Sequence, residues 1–141
     1  MKVSLTCGNW DTQRVDARAV RFDVFVVEQK IPVELEWDDL DPVCLHVVAC
    51  DETGQAVGTG RLLPDGHIGR MAVIKAARGF GVGGAIIELL LQEAYRRGDH
   101  AVRLNAQTHA ERFYARFGFS RDGAEFKEAG ISHIQMRYEF S

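Results

Sequence analysis

The chain has 141 residues, of which 46% are hydrophobic and 26% charged, and its net charge at pH 7 is −3. This length and composition predict a single globular domain over residues 1–141, with enough apolar surface for one core. The slightly negative charge argues against a nucleic-acid partner, and the lack of a membrane-length apolar run or a signal-peptide pattern argues against a membrane partner, so we expect a cytoplasmic protein.

The first predicted elements are a strand and a helix. Residues 2–7, KVSLTC, alternate and predict a strand. Residues 12 to 29 predict a helix that ends before Pro32, and its apolar face is made of Ala19, Phe22, Phe25 and Val26. Residues 33–42, VELEWDDLDP, show no periodicity and predict a loop.

Three strands of a meander follow. Residues 45–51, LHVVACD, and residues 55–64, QAVGTGRLLP, flank the turn ETG, and residues 67–73, HIGRMAV, follow a second turn. A glycine-rich segment then leads into a helix over residues 81–97, and Gly98 fits a left-handed cap. The buried stripe of this helix is expected to contain Ile86, Leu89, Leu90 and Ala94.

The last third of the chain predicts a strand, a short helix and a strand. Residues 101–106 form the strand, and residues 108–118 form the helix, with Thr108 and Glu111 at capping-box spacing. Residues 133–140 alternate as a final strand. The order β, α, three strands, α, β, α, β predicts an α/β fold with a mixed, mostly antiparallel sheet flanked by helices.

The chain has three cysteines and five histidines, and their spacing is not that of a metal site. The cysteines include no C-x-x-C pair, and their number is odd. We therefore expect neither a disulfide framework nor a bound metal.

The segment from Arg78 to Gly84 carries the main functional signal. Its G-x-G-x-G-G spacing does not fit a dinucleotide fingerprint, and it lacks the Lys and Ser or Thr of a Walker loop. One interpretation is a turn whose main-chain N–H groups bind a pyrophosphate at a helix N-terminus, with Arg78 adding a positive charge. The other is a tight strand-to-helix turn that needs glycine for close packing. The segment alone leaves the two about even.

Two ordered motifs separate these interpretations. In MAVIKAARGFGVGGAII, the strand end at residues 71–73 is followed by Arg78, Gly81 and Gly83 in a [Q/R]-x-x-G-x-[G/A] pattern. The later stretch LNAQTHAERFYARFGF ends in F-Y-x-x-x-G-F. Together they resemble the GNAT superfamily of N-acetyltransferases. VFVVEQKIP and EFKEAGISHIQM resemble its ElaA-like branch, although Ser132 stands where that branch usually has proline.

This resemblance implies a GNAT-like acyl-CoA N-acyltransferase fold with acetyl-CoA as the acyl donor. In that family the pantetheine arm lies between two splayed parallel strands, here those ending at Val73 and at Ala106. The Val73 N–H would polarise the thioester carbonyl, and the glycine segment would bind the pyrophosphate. The implied cofactor-binding residues are Met71, Ala72, Val73, Arg78, Gly79, Phe80, Gly81, Val82, Gly83, Gly84, Asn105 and Ala106.

Tyr114 occupies the position of the family's general acid. With an ordinary pKa near ~10, its phenol would be protonated at pH 7 and could donate to the departing thiolate. Its periodicity with Phe113 and Phe117 fits a plain core position equally well. The resemblance, rather than the periodicity, favours a catalytic role.

The acceptor site is expected near an acidic region, where six carboxylates between Glu28 and Asp41 face one lysine. Such a cluster would attract a cationic amine, although a solvated acidic loop gives the same pattern. His133 could relay a proton, because imidazole exchanges protons near neutral pH, or it could be an outward residue of the last strand. Glu34, Asp38 and His133 are the candidate substrate residues.

Two functions remain after these arguments. One is an acetyl-CoA-dependent N-acetyltransferase that acts on a primary amine of a small molecule or a peptide. The other is a non-catalytic CoA-binding sensor or interaction module on the same fold. A homodimer is plausible because exposed sheet edges often pair between copies.

Overall fold

The computed structural model describes residues 1–36 and 38–141; Trp37, in the predicted loop, lies outside the described residues. Within this part of the chain, seven strands form one sheet in the order β1-β2-β3-β4-β5-β7-β6. Only β4 and β5 are parallel neighbours, so the sheet is mixed and mostly antiparallel, as predicted. The strands are β1 (Val3–Gly8), β2 (Leu45–Asp51), β3 (Ala56–Leu62), β4 (His67–Val73), β5 (Ala101–Gln107), β6 (Ser120–Glu128) and β7 (Ile131–Glu139).

Helices cover both faces of the sheet. They are α1 (Trp10–Arg21), which continues as a π-helical segment (Phe22–Glu28), α2 (Val33–Glu36), α3 (Val82–Arg96) and α4 (Glu111–Ala115). Successive buried residues of β2 show the two layers, because side chains alternate between the faces of a strand. Val47 and Ala49 pack in the cluster that contains α3, whereas Val48 packs against Trp10 and Ala17 of α1.

The predicted apolar face of the first helix is wrong in part. Ala19 and Phe22 are exposed, and Ala17, Val20 and Val24 are buried instead. Two causes combine. The buried side of α1 also carries a charged residue, Arg21, which an apolar pattern does not include. In addition, the wider π-helical turns after Arg21 change the period and rotate the following residues.

Two further expectations near the C-terminus were wrong. β6 was not predicted, because almost all of its residues are exposed and it shows no buried alternation. Its ladder with β7 is also interrupted between Arg121 and Glu125. The Thr108–Glu111 capping box does not form, because residues 108–110 are a 3-10 turn and α4 begins after Ala110 without a side-chain cap. The ends at Gly98 and Gly118 are confirmed by their positive φ of 93° and 97°.

Candidate active site

The parallel strands β4 and β5 stay paired over only a short length. His67 lies opposite Arg103 and Ile68 opposite Leu104, whereas β5 pairs with β7 along its whole length. The C-terminal halves of β4 and β5 therefore separate, as the resemblance implies. A cavity of about 1150 Å³ opens there, between these strands, the π-helical segment, α2 and the turn between β6 and β7.

A bulge in β4 shapes one wall of this cavity. Arg61 pairs with Gly69 and Thr59 pairs with Ala72, so β4 has one residue more than β3 over this stretch. Arg70 lies inside the bulge with φ 49°, in the left-handed region that non-glycine residues seldom adopt. Such bulges often occur beside active sites, where they redirect a side chain.

Beyond the bulge, the main chain of Val73 faces the cavity. Ile74 donates its N–H to Val57 of β3 at 2.9 Å. Because neighbouring residues of a strand direct their polar groups to opposite sides, the N–H and carbonyl of Val73 point away from β3, into the gap between β4 and β5. The Val73 carbonyl accepts a hydrogen bond from Arg78 Nε at 3.0 Å. The Val73 N–H is thus placed as a donor at the edge of the cavity.

The glycine segment connects β4 to α3 through a turn in which two glycines have a left-handed backbone conformation. Gly79 and Gly81 have φ of 85° and 80°, which side chains disfavour, so glycine is needed there for its backbone conformation. Gly81 is the N-cap of α3, and no side chain caps it. The first N–H groups of a 15-residue helix are therefore not bonded by a side chain, at its positive end.

Close packing explains the next two glycines. A Cβ on Gly84 would lie 2.7 Å from Phe117 Cζ, and one on Gly83 would lie 3.2 Å from Phe113 Cζ. Gly83 and Gly84 thus let α3 approach the aromatic side chains that follow β5. The packing interpretation holds for this half of the segment, and the left-handed turn accounts for the other half.

The predicted cofactor residues divide into two groups. Five of them line the cavity, namely Met71, Ala72, Val73, Arg78 and Asn105. The glycine segment lies beyond Arg78, outside the lining, with Phe80 exposed, and the side chain of Ala106 is buried in the core. Arg78 makes two hydrogen bonds, of 2.6 and 2.7 Å, with the Glu28 carboxylate. This contact lowers the pKa of Glu28 and raises that of Arg78.

Tyr114 lines the cavity from the short helix α4. Its side chain is buried among aromatic rings, edge-on to Phe113 and Phe119. The expectation of an ordinary pKa was wrong, because burial raises the pKa of Tyr114 to about 12. The phenol therefore holds its proton even more firmly than the sequence suggested.

Three carboxylates of the acidic region, those of Glu36, Asp38 and Asp41, are paired with arginines from α1, β3 and β4. Arg21 pairs with Glu36 and binds both oxygens of Asp41, at 2.9 and 3.0 Å. Arg61 binds Asp41 Oδ1 at 2.7 Å and Asp38 Oδ2 at 2.6 Å. These partners are far apart in the sequence, which is why a count of local charges missed them.

The three candidate acceptor residues are placed differently. Glu34 is exposed on α2 and does not line the cavity. Asp38 does line it; burial alone would raise its pKa, but the hydrogen bonds and charges of Arg61, the Leu40 N–H and Arg70 outweigh burial and lower it. His133 is buried and lines the cavity from β7.

His133 is held in one tautomer. Its Nδ1 lies 2.7 Å from the Ile131 carbonyl, which can only accept, so Nδ1 carries a proton. Nε2 of the neutral ring is then the basic nitrogen, and Glu128 Oε2 lies 3.7 Å from it. The ring also stacks on Phe126, with 5.8 Å between centroids.

Several residues that line the cavity were not predicted from the sequence. Arg61 and Arg70 interrupt otherwise apolar strands, and that interruption was an available signal. Gln29 and Gln107 exchange hydrogen bonds of 3.0 and 3.3 Å, which connect the π-helical segment to β5. His109 Nε2 lies 2.7 Å from Gln107 Oε1. No spacing rule connects these three polar residues in advance.

Solved structures share this fold over almost the whole chain. An acyl-CoA N-acyltransferase from Pseudomonas aeruginosa has a TM-score of 0.86 at 36% identity and covers 97% of this chain and 99% of its own. Escherichia coli ElaA has a TM-score of 0.86 at 28% identity, covering 98% and 100%. The fold is that of the acyl-CoA N-acyltransferases.

Sequence comparisons narrow this class to one family. The family described as "Acetyltransferase (GNAT) domain" matches residues 39–140. Bacillus subtilis YjcF, an uncharacterized N-acetyltransferase, is 41% identical over 130 residues, which are 89% of this chain and 92% of that protein. The chain therefore belongs to the GNAT family of N-acetyltransferases, and the resemblance stated from its motifs is confirmed.

Two features are absent from the described residues. No helix among them is long and apolar enough to cross a membrane. In the same residues, no group of three or more His, Cys, Asp or Glu side chains has the arrangement of a metal site.

Proposed function

We propose that the protein transfers the acetyl group of acetyl-CoA directly to a primary amine of a small molecule or a peptide. One observation carries this proposal: Val73, where β4 leaves β5, borders a cavity that Tyr114 and His133 both line, and the chain runs from there to the N-terminus of α3, which no side chain caps. The family membership supports the reaction class, and these residues supply the parts that it needs.

The chain's own groups fit an acyl-CoA donor at both of its ends. The N–H groups at the start of α3 can hold the pyrophosphate, and the open geometry at Gly79 and Gly81 lets phosphate oxygens approach the main chain. Arg78 can add a charge-assisted bond when it leaves Glu28. At the other end, the Val73 N–H can hydrogen-bond the carbonyl oxygen of the thioester and stabilise the charge that develops on it.

The donor supplies an activated acyl carbon, which the neutral acceptor amine attacks through its lone pair. A carbon–nitrogen bond forms, the carbon–sulfur bond breaks, and the electron pair of that bond leaves with the sulfur. Tyr114 can protonate the sulfur, because a phenol with a pKa of about 12 is fully protonated at neutral pH. The acceptor's proton must leave by another group, and the tyrosine regains its own from water.

His133 is the best-placed of the three candidates to accept that proton. Its Nδ1–H is fixed on Ile131, so Nε2 is left as the base, and the Glu128 carboxylate 3.7 Å away can stabilise the ring once it is charged. Asp38 is a poorer base, since two arginines bind its carboxylate. Glu34 is outside the cavity and is better suited to solvent contact.

Release of CoA from acetyl-CoA, measured against a panel of primary amines and beside calorimetry with CoA and acetyl-CoA, tests the proposal. We expect micromolar-range binding and amine-dependent release. Binding without turnover on any amine would favour a non-catalytic CoA-binding module. No heat with either ligand would overturn the cofactor assignment itself.

A separate variant tests His133. His133→Asn keeps an amide N–H that can reach the Ile131 carbonyl but removes the titratable nitrogen. We expect kcat/KM to fall by about 10²-fold. An unchanged kcat/KM would remove His133 from the proton path.

A further inference from the structure

Three arginines and three carboxylates form one cluster beside the cavity, and four of the six, namely Glu36, Asp38, Arg61 and Arg70, line it. Their pairing is uneven. Arg21 pairs with Glu36 and with both oxygens of Asp41, and Arg61 pairs with Asp41 and Asp38. The contacts to Asp41 and Asp38 are 2.6 to 3.0 Å long. The close contacts of these carboxylates are thus made to two of the three arginines.

Arg70 is the arginine left with weak contacts. Its nearest partner is Asp38 Oδ2 at 3.3 Å, an oxygen that already receives Arg61, and its Nε is 3.8 Å from Glu36 Oε1. The Nε atoms of Arg70 and Arg61 are buried without a hydrogen-bond partner in the described structure. An unpaired buried donor is costly, and a ligand acceptor removes that cost.

Arg70 is also the most accessible of the three arginines. Its side chain is 27% exposed, against 2% for Arg21 and 5% for Arg61. It lines the cavity, and the β4 bulge carries it there in a left-handed backbone conformation that costs about 1 kcal/mol or more. Such strain is commonly found where a fold positions a functional side chain.

The electrostatic environment of Arg70 is positive. Burial lowers its pKa, and the charges of Arg61 and Arg21 lower it further, more than Asp38 and Glu36 raise it. An added negative group would therefore be stabilised at this point of the cavity. The carboxylates beside it limit how much negative charge fits, which favours a singly charged group over a phosphate.

We propose that Arg70 binds a carboxylate on the acceptor, so that the acceptor is an amino acid or a similar compound with an amine and a carboxylate. The planar guanidinium matches a carboxylate with two parallel hydrogen bonds. The amine end of such a molecule then lies deeper in the cavity, towards Val73 and Tyr114. This inference rests on the proposed function, since it assigns the substrate class of the same cavity.

Matched acceptor pairs test the assignment. Each pair is an amino acid and its carboxamide, with phenylalanine, alanine and lysine as the parent compounds, because the two members share a shape and differ in the charge. The amine of the carboxamide is also less basic, so a larger fraction of it is neutral and able to attack at pH 7. A preference for the acid is therefore a stringent result. We expect kcat/KM to favour the acid in at least one pair by about 10-fold or more.

Two Arg70 variants are compared with a distant control. Arg70→Gln should raise KM for the preferred acid by about 10- to 100-fold and leave the carboxamide within about 3-fold, and Arg70→Lys should lie between them. The control Arg121→Gln breaks an exposed pair with Glu111 and should leave KM unchanged for both the acid and the carboxamide. Circular dichroism and melting curves identify any variant that fails to fold, and Arg70→Lys, which keeps the charge, then decides the test.

A thermal-shift titration with the same pairs separates this proposal from the proposed function. Stabilisation of the wild type by an acid, but not by its carboxamide, and its loss in Arg70→Gln would support the Arg70 site even if no amine is acetylated. Turnover with no preference for the acid, or equal responses to both members of every pair, would overturn the Arg70 assignment and leave the acetyltransferase proposal standing.

Discussion

Two walls of the candidate site are built in different ways. The first runs from Val73, which lines the cavity, to Gly84, which lies beyond the cavity lining, and the second runs from Glu36 to Arg70. The first offers main-chain groups at its two ends, at Val73 where β4 leaves β5 and at the start of α3, which no side chain caps. The second consists of side-chain charges that come from α1, α2, β3 and β4. Both walls carry groups that suit negatively charged ligands.

This difference determines how each wall responds to substitution. A main-chain site tolerates changes of side chain as long as the backbone keeps its path, so its weak points are glycines and their packing partners. A side-chain network depends on every member, because the loss of one charge leaves another buried without compensation. The predictions below test this contrast, beginning with the largest effect.

Asp41→Asn should produce the largest loss of stability, because Arg21 and Arg61 both bind that carboxylate. We expect the free energy of unfolding at pH 7 to fall by about 3 kcal/mol, as measured by urea titration. Glu139→Gln, at an exposed pair with Arg137, is the control and should change little. A loss of stability in Asp41→Asn no larger than that in Glu139→Gln would contradict a central role for Asp41.

The pH dependence of that loss has a defined sign. Burial alone would raise the pKa of Asp41, but the hydrogen bonds and charges of Arg21 and Arg61 outweigh burial and lower it. A lowered pKa contributes stability above the unfolded value of about 4, and this contribution disappears as the pH falls through the folded value. The difference between wild type and Asp41→Asn should therefore narrow below about pH 4.

Tyr114→Phe tests the chemistry beside the main-chain wall. We expect kcat to fall by about 10²-fold with little change in the dissociation constant of CoA, because in the proposed mechanism the hydroxyl serves to donate a proton rather than to hold the cofactor. Tyr95→Phe, at an exposed position of α3, is the matched control. Unchanged turnover would leave Tyr114 as a core residue only.

Gly84→Ala tests whether packing, rather than phosphate contact, requires that glycine. The new Cβ would lie 2.7 Å from Phe117 Cζ, and overpacking should outweigh the gain in helix propensity, for a net loss of about 1 kcal/mol. Phe117→Leu in the same chain should recover that loss. The same Phe117→Leu change should not rescue Gly81→Ala, whose cost comes from a φ of 80°. Urea titration of the four variants gives the comparison.

Glu28→Gln should give the smallest effect, on cofactor affinity. Glu28 pairs with Arg78 at 2.6 Å and competes for the charge that the pyrophosphate would receive. Since both side chains are partly exposed, we expect the affinity for CoA to rise by only about 2- to 5-fold by calorimetry. Glu111→Gln, which frees Arg121 instead, is the control. Weaker binding in Glu28→Gln would show that the pair supports the site.

Local patterns predicted most of the elements. The meander of β2, β3 and β4 and the long helix α3 follow from alternation, turn residues and an apolar stripe, all of which are properties of neighbouring residues. β6 was missed because its exposed residues have no buried face to mark it. The face of the first helix was predicted wrongly in part, because Arg21, a charged residue, occupies its buried side and π-helical turns follow it.

The candidate site was likewise predictable only where local motifs define it. The positions of Val73, Arg78 and Tyr114 follow from motifs within short stretches, and all three line the cavity. The acidic region was misjudged, because its charge balance depends on arginines that lie elsewhere in the sequence. Arg70 was not among the predicted site residues, although a charged residue within a largely apolar strand indicated a candidate functional position.

The sequence by itself determined the order of most elements, the family motifs and the glycine turn at Gly79 and Gly81, since each depends on residues close together in the chain. Only the tertiary structure decided which charges are neutralised and which donors stay unpaired, because buried charges find their partners across the fold. That is why the turn after Val73 could be predicted from the sequence and the pairing of charges around Arg70 could not.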